Sequence, residues 1–109
     1  MTKNSQTGNE QIGSDKAQKW SVWMPLSAAH PLALQQLPEA PGLFRIRDER
    51  THHMIYEGTS HLGLRVEIER LSRQIQLPQP PTNANPLALE LWHARHSSGA
   101  SFQICGARL

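Results

Sequence analysis

Tyr56, the only tyrosine of the chain, and Arg65 are the residues whose types and spacing point most directly to a chemistry. A tyrosine hydroxyl can take part in proton transfer, and an arginine guanidinium can bind two phosphate oxygens at once. Both lie in the stretch 41–75, where we expect them to surround a phosphate. The elements of this stretch must therefore place the two side chains next to each other.

The first part of this stretch predicts a β-hairpin. Residues 43–47 alternate in character, which puts Arg45 and Arg47 on one face of a strand and the apolar residues between them on the other. A polar run follows, and residues 54–57 predict the second strand, which ends at a glycine.

An amphipathic helix follows the hairpin, with a cap expected at residues 59–60. Its apolar stripe has helical spacing and consists of Leu64, Ile68, Leu71 and Ile75. On the other face, Arg65 and Arg73 both lie one helical turn from Glu69, which predicts a solvated face with ion pairs between neighbouring turns.

The remaining elements complete a small α+β fold. A short helix is predicted within 27–37 and a proline-rich loop over 77–84. A second long helix is expected to begin at Asn85 as N-cap, with proline at its first position, and to stop at Ser97-Ser98-Gly99. Residues 100–105 predict a third strand. The two long helices therefore lie between the predicted hairpin and the third strand in the sequence.

Composition limits the class of protein. A chain of 109 residues suits one domain, with a polar, disordered tail over 1–19 and an ordered domain over 20–109. It has no apolar run long enough to span a membrane and no secretory leader, which predicts a cytoplasmic protein. All three lysines lie in the tail, and the domain carries eight arginines against seven acids, so any phosphate site must be local.

Other reactive side chains have simpler interpretations. The single cysteine, Cys105, excludes an internal disulfide and predicts a small buried residue. The histidine pairs, His52 with His53 and His93 with His96, lack a third ligand at a recognisable spacing, so we expect loop and helix-end roles instead of a metal site.

Trp20 and Trp23 belong to a short extended segment rich in large apolar groups. Such residues can stack on nucleic-acid bases, or they can fill the core of a small domain. We favour the second role, because aromatic side chains supply much of the area that a small core buries.

A family resemblance arises from the spacing of two motifs, Gly42-Leu43-Phe44 and Tyr56-Glu57-Gly58, together with Arg45-Ile46-Arg47-Asp48 and Arg65. Over residues 38–105 the chain resembles the GIY-YIG nuclease superfamily. The resemblance implies a three-stranded antiparallel sheet flanked by helices and cleavage of DNA phosphodiesters with one divalent metal, for which Mg²⁺ is expected. It also implies that Tyr56 lines the site and that Arg65 binds the scissile phosphate.

Three departures predict an impaired or inactive enzyme. Phe44 replaces the first tyrosine and has no hydroxyl, and Glu57 replaces an apolar motif centre. The third departure is that the sequence ends before the helix that would carry the metal-binding glutamate, so we expect a truncated domain. Glu69 is a candidate metal ligand, although pairing with Arg65 is the interpretation that we favour.

Three functions remain open at this point. The first is an impaired endonuclease-like domain that retains DNA binding through Arg45, Arg47, Arg65 and Arg73. The second is a non-catalytic structural or protein-interaction module. The third is an active enzyme that borrows its metal carboxylate or uses Glu69. We also expect an exposed apolar patch or self-association beside the third strand.

Overall fold

The structure, a computed structural model, describes residues 19–27, 31–82 and 85–109. Within these ranges the element order is β1 (Met24–Pro25), α1 (Pro31–Leu34), β2 (Gly42–Asp48), β3 (Met54–Ser60), α2 (Leu64–Gln74), α3 (Pro86–Ser98) and β4 (Phe102–Arg108). Apart from Lys19, the predicted tail lies outside the described residues. None of the helices in the described ranges is long and apolar enough to cross a membrane.

The strands form one antiparallel sheet in the order β1-β4-β2-β3. The predicted hairpin is confirmed, because β2 pairs with β3 along its length. The expected sheet of three strands is corrected to four, since Met24 pairs with Ile104 and adds β1 at one edge. The sequence indicated a short extended segment here, but not its pairing with β4, which lies far along the chain.

The core lies between the sheet and the helices. Phe44 and Ile46 of β2 are buried together with the apolar stripe of α2, which is the stripe expected from the sequence. The other core side chains come from every remaining part of the fold except β3: Met24, Leu26, Leu34, Leu37, Ala88, Leu91, Phe102 and Ile104. The alternate residues of β2 must consequently face the opposite side of the sheet.

The start of α2 differs from the expected cap at residues 59–60. These residues still pair with β2, so β3 extends to Ser60 and the helix begins four residues later. Gly63 precedes the helix with φ 138°, and a Cβ there would lie 2.5 Å from the carbonyl oxygen of Glu39. A glycine is therefore needed at this turn.

The bounds of α3 agree with the sequence signals. The Asn85 side chain accepts a hydrogen bond from the Ala88 N–H at 2.8 Å, and Gly99 ends the helix in the left-handed region with φ 70°.

β4, the third predicted strand, begins and ends later than expected and lies between β1 and β2. Phe102, Ile104 and Ala107 are buried. Leu109, directly after the strand, is 68% exposed. The exposed apolar patch or self-association expected beside this strand stays a prediction.

Candidate functional site

Arg65, the predicted phosphate ligand, is bound to the segment that leads into β2. Its Nε donates to the Leu37 carbonyl at 3.2 Å, and one terminal nitrogen lies 2.6 Å from a carboxylate oxygen of Glu39. Among the described residues, Glu39 and not Glu69 is thus the acid that neutralises this guanidinium. Residue spacing favours Glu69 as the partner of Arg65 because spacing shows only neighbours on the same helix.

Tyr56 lies on the opposite side of α2 from Arg65, at a cleft between the sheet, α2 and the start of α3. This Tyr56 cleft has a volume of about 320 Å³ and is lined by Phe44, Tyr56, Thr59, Glu67, Ile68, Leu71, Asn85, Pro86 and Leu87. The ring of Tyr56 is tilted against that of Phe44, with 5.6 Å between their centroids. The tyrosine is 40% exposed, whereas Phe44 is buried.

Helix geometry explains why Tyr56 and Arg65 are not brought together. At about 3.6 residues per turn, positions two apart point about 200° away from each other. Glu67 lines the cleft, so Arg65 occupies the other flank of α2. The predicted pair of tyrosine and arginine around one phosphate is therefore not assembled.

Glu69, the candidate metal ligand, also lies away from Tyr56. With Ser72 and Arg73 it lines a shallow depression against α1. No group of three or more histidine, cysteine or acidic side chains within the described ranges is placed to hold a metal ion.

Glu67 is a residue of the cleft that the sequence analysis overlooked. Among the described residues of the lining it alone is charged, and one of its oxygens accepts a 2.5 Å hydrogen bond from the buried Ser60 hydroxyl. The same hydroxyl oxygen accepts the Gly63 N–H. The available signal was a carboxylate in the first turn of α2, where the helix dipole favours negative charge.

The far side of the sheet carries a second set of charged groups. The Cζ atom of Arg45 lies 3.9 Å from the ring centroid of Trp20, and that of Arg47 lies 4.1 Å from the ring centroid of Trp23. These four residues form the arginine–tryptophan face. Both arginines come from β2 and point away from the helices.

Neighbouring strands orient the two arginines further. Arg47 Nε donates to the Gln103 side chain at 2.7 Å, and Arg45 Nε lies 3.4 Å from Glu57, the residue opposite it in β3. Glu57, at the centre of the second motif, is thus paired with Arg45 and lies outside the core.

The tryptophan segment is attached to β4 by backbone contacts. The Ser21 N–H donates to the Gly106 carbonyl at 2.8 Å, and the Gly106 N–H donates to the Ser21 hydroxyl at 3.0 Å. Trp20 and Trp23 are partly buried and lie outside the buried core, where they cover the far side of the sheet and stack on the arginines. The core-filling role that the sequence favoured is therefore not observed for these two side chains.

Cys105 belongs to this side of the sheet, opposite Arg45 in the strand register. It is 3% exposed, which confirms the predicted small buried residue. Burial raises the pKa of its thiol, and the two nearby arginines oppose that rise only in part.

The histidines have local roles. His52 lies in the hairpin turn with φ 63°, and His96 stacks on Trp92 with 4.0 Å between ring centroids. His53 and His93 are exposed. These placements agree with the loop and helix-end roles expected from the sequence.

No protein-family model matches this chain, and comparisons with curated proteins and with solved structures also find no match. The likeness to the GIY-YIG superfamily therefore stays a prediction from its two motifs.

Proposed function

We propose that this domain is a non-catalytic module with GIY-YIG-like motifs that binds the backbone of single-stranded nucleic acid. The observation that carries the proposal is the pair of arginine–tryptophan stacks on one side of the sheet. Single-strand binding proteins commonly combine cations that follow the backbone with aromatic side chains.

Stacking leaves Arg47 equipped to bind phosphate. The indole contacts the flat face of the guanidinium, whereas the N–H donors lie in its plane and suit the oxygens of a phosphate. Arg47 has five such donors, of which Nε is used by Gln103. The indole contact also restricts the side chain, which lowers the entropy lost on binding.

The spacing of the two cations suits a single strand. Arg45 and Arg47 are alternate residues of β2, so their Cα atoms are about 6.7 Å apart at 3.3–3.4 Å per residue. This separation is comparable with that of neighbouring phosphates along an extended strand.

Charge at this surface also supports the proposal. Lys19 adjoins Trp20 and is exposed, so this surface has three cations in Lys19, Arg45 and Arg47. Its acids are Glu57, beside Arg45, and Asp48, which follows Arg47 in the sequence. The domain as a whole is close to neutral. A local positive patch of this kind attracts phosphates through short-range contacts, which salt will screen.

Two features support the proposal that the domain is non-catalytic. Phe44 stands at the position of the first-motif tyrosine and has no hydroxyl for proton transfer. Arg65 binds Glu39 and Leu37 on the flank of α2 that faces away from Tyr56. A guanidinium held there cannot stabilise charge on a phosphate beside Tyr56.

Fluorescence anisotropy with labelled oligo(dT) tests the binding. With two phosphate contacts at about −0.7 each in the logarithmic salt slope, a tenfold rise in salt should weaken binding by about 25-fold. Arg47→Ala should reduce the slope by about half, whereas Arg73→Ala, which removes an equal charge from α2, should leave it unchanged. Equal effects of the two variants, or no binding at low salt, would refute the proposed interface.

Plasmid nicking in the presence of Mg²⁺ tests the non-catalytic part separately. We expect no nicking above that of a mock preparation. Nicking by the purified chain that Arg65→Ala abolishes would instead establish the active enzyme, and Glu69→Gln would then test the candidate metal ligand.

A second candidate function, a protein-interaction module, is favoured by the free edge of the sheet. In the described structure β3 pairs only with β2. Met54 and Tyr56 of this strand and Leu62, just after it, expose apolar surface. An uncovered edge of this kind can pair with another strand. Sedimentation that shows self-association, reversed by Met54→Lys but not by Leu32→Lys, would support it, and a monomer at all concentrations would exclude self-pairing.

A further inference from the structure

We infer that the Tyr56 cleft binds a planar heterocycle with adjacent N–H donors beside a carbonyl oxygen, the pattern presented by guanine. The inference goes beyond backbone binding on the arginine–tryptophan face, because the cleft lies on the helix side of the sheet and would recognise a base without its phosphate.

The size and walls of the cleft suit a flat ring system. Its volume of about 320 Å³ lies at the lower end of small-molecule sites, roughly 300–1,000 Å³. One wall carries the half-exposed ring of Tyr56, and the buried Phe44 lies beside it and also lines the cleft. Aliphatic side chains of α2 and α3, Ile68, Leu71 and Leu87, provide the remaining apolar surface.

The carboxylate of Glu67 determines which polar groups a ligand must bring. A carboxylate accepts about four hydrogen bonds on its two oxygens, and the Ser60 hydroxyl supplies one. An anionic ligand would be repelled, and a wholly apolar one would remove water from the carboxylate without replacing its hydrogen bonds. The ligand must therefore present N–H donors to Glu67.

The start of α3 favours a neutral heterocycle over an organic cation as the ligand. Leu87 lines the cleft, and its N–H belongs to the first turn, where no helical carbonyl is available to accept it. The positive end of the helix dipole disfavours a full cation there but favours a carbonyl oxygen. Guanine has this combination, with N1–H and N2–H₂ for Glu67 and O6 for the helix end.

A nucleoside series measures the recognition without any phosphate. Titrations followed by NMR with guanosine, inosine and adenosine should give affinities in that order, because inosine lacks the N2 amino group and adenosine lacks both donors. A bidentate contact predicts guanosine about 5- to 150-fold tighter than adenosine.

Matched variants locate the effect. Glu67→Gln should remove the preference for guanosine, while Glu69→Gln, on the other flank of α2, should retain it. Tyr56→Leu should weaken all three nucleosides alike, because it removes the stacking wall, and Tyr56→Phe should not. Unfolding curves for each variant confirm that the fold is kept.

Any of three results would overturn the inference. These are equal binding of guanosine and adenosine, no binding of either at millimolar concentration, or an equal loss of the preference for guanosine in Glu67→Gln and Glu69→Gln. Preferential binding of n-butylammonium would also overturn it in favour of a cation site. Comparing oligo(dT) with the same oligonucleotide carrying one central guanine then distinguishes a base within a strand from a free nucleoside. If the arginine–tryptophan face did not bind oligo(dT), the nucleoside predictions for the Tyr56 cleft would be unaffected.

Discussion

Arg65 should stabilise the fold and make no contribution to nucleic-acid binding, which is the reverse of its expected role in a phosphate site. Its Nε donates to the backbone carbonyl of Leu37, and one terminal nitrogen pairs with the Glu39 carboxylate. A hydrogen bond from a charged donor is worth about 1.5–3 kcal/mol, and an exposed ion pair at most about 1 kcal/mol.

The side chains of Arg65 and Glu39 are 30% and 74% exposed, so solvent screening places both contributions at the low end. We expect Arg65→Ala to lower the free energy of unfolding by about 2 kcal/mol and the melting temperature by about 8–16 °C. Glu39→Gln should cost less than about 1 kcal/mol. A double-mutant cycle with both changes should give a coupling energy of similar size.

The assay combines thermal unfolding, followed by circular dichroism, with oligo(dT) anisotropy measured well below the melting temperature. Arg47→Ala is the matched variant and should show the opposite pattern, with weakened binding and a smaller loss of stability. An Arg65→Ala protein that melts within about 2 °C of the original yet binds oligo(dT) more weakly would refute this account and restore the predicted phosphate site.

Further predictions concern the turn, the sheet and the thiol. His52→Gly should stabilise the protein by up to about 1 kcal/mol in urea unfolding, since it relieves the left-handed φ, whereas His53→Gly should destabilise it. Gly42→Ala should cost about 3 kcal/mol, because the added Cβ overlaps a backbone oxygen of β4; an unchanged urea midpoint would contradict this packing. Cys105 should react with iodoacetamide only after unfolding, and labelling of the native protein at the unfolded rate would contradict its burial. Hydrogen bonds from the Thr51 N–H and its neighbours lower the pKa of Asp48 below its ordinary value of 3.8. The ionised Asp48 carboxylate should therefore stabilise the fold above pH 3.8, and this stabilisation should be lost as the pH falls through the lower pKa of the folded protein. Asp48→Asn should remove this dependence of stability on pH in the acid range.

Much of the secondary structure followed from local pattern. The alternation along β2 and the stripe of α2 predicted which side chains face the core, and Asn85 with Gly99 predicted both ends of α3. These signals succeed because each depends on periodicity or on hydrogen bonds between near neighbours.

The errors arose where a distant segment competes with a local preference. Ser60 has the character of a helix cap, yet pairing with β2 keeps it in a strand. The strand β1 depends on residues of β4 far along the chain. Contacts of this kind follow from the whole arrangement, which no short window of sequence contains.

The site shows the same division. The sequence alone determined that Arg45 and Arg47 share one face of a strand, because side chains alternate along any strand. Only the tertiary structure decided that Trp20 and Trp23 stack on them, that Glu39 neutralises the arginine of α2, and that Glu67 faces the tyrosine. Periodicity assigns residues to the faces of one element, whereas packing between elements decides what each face meets.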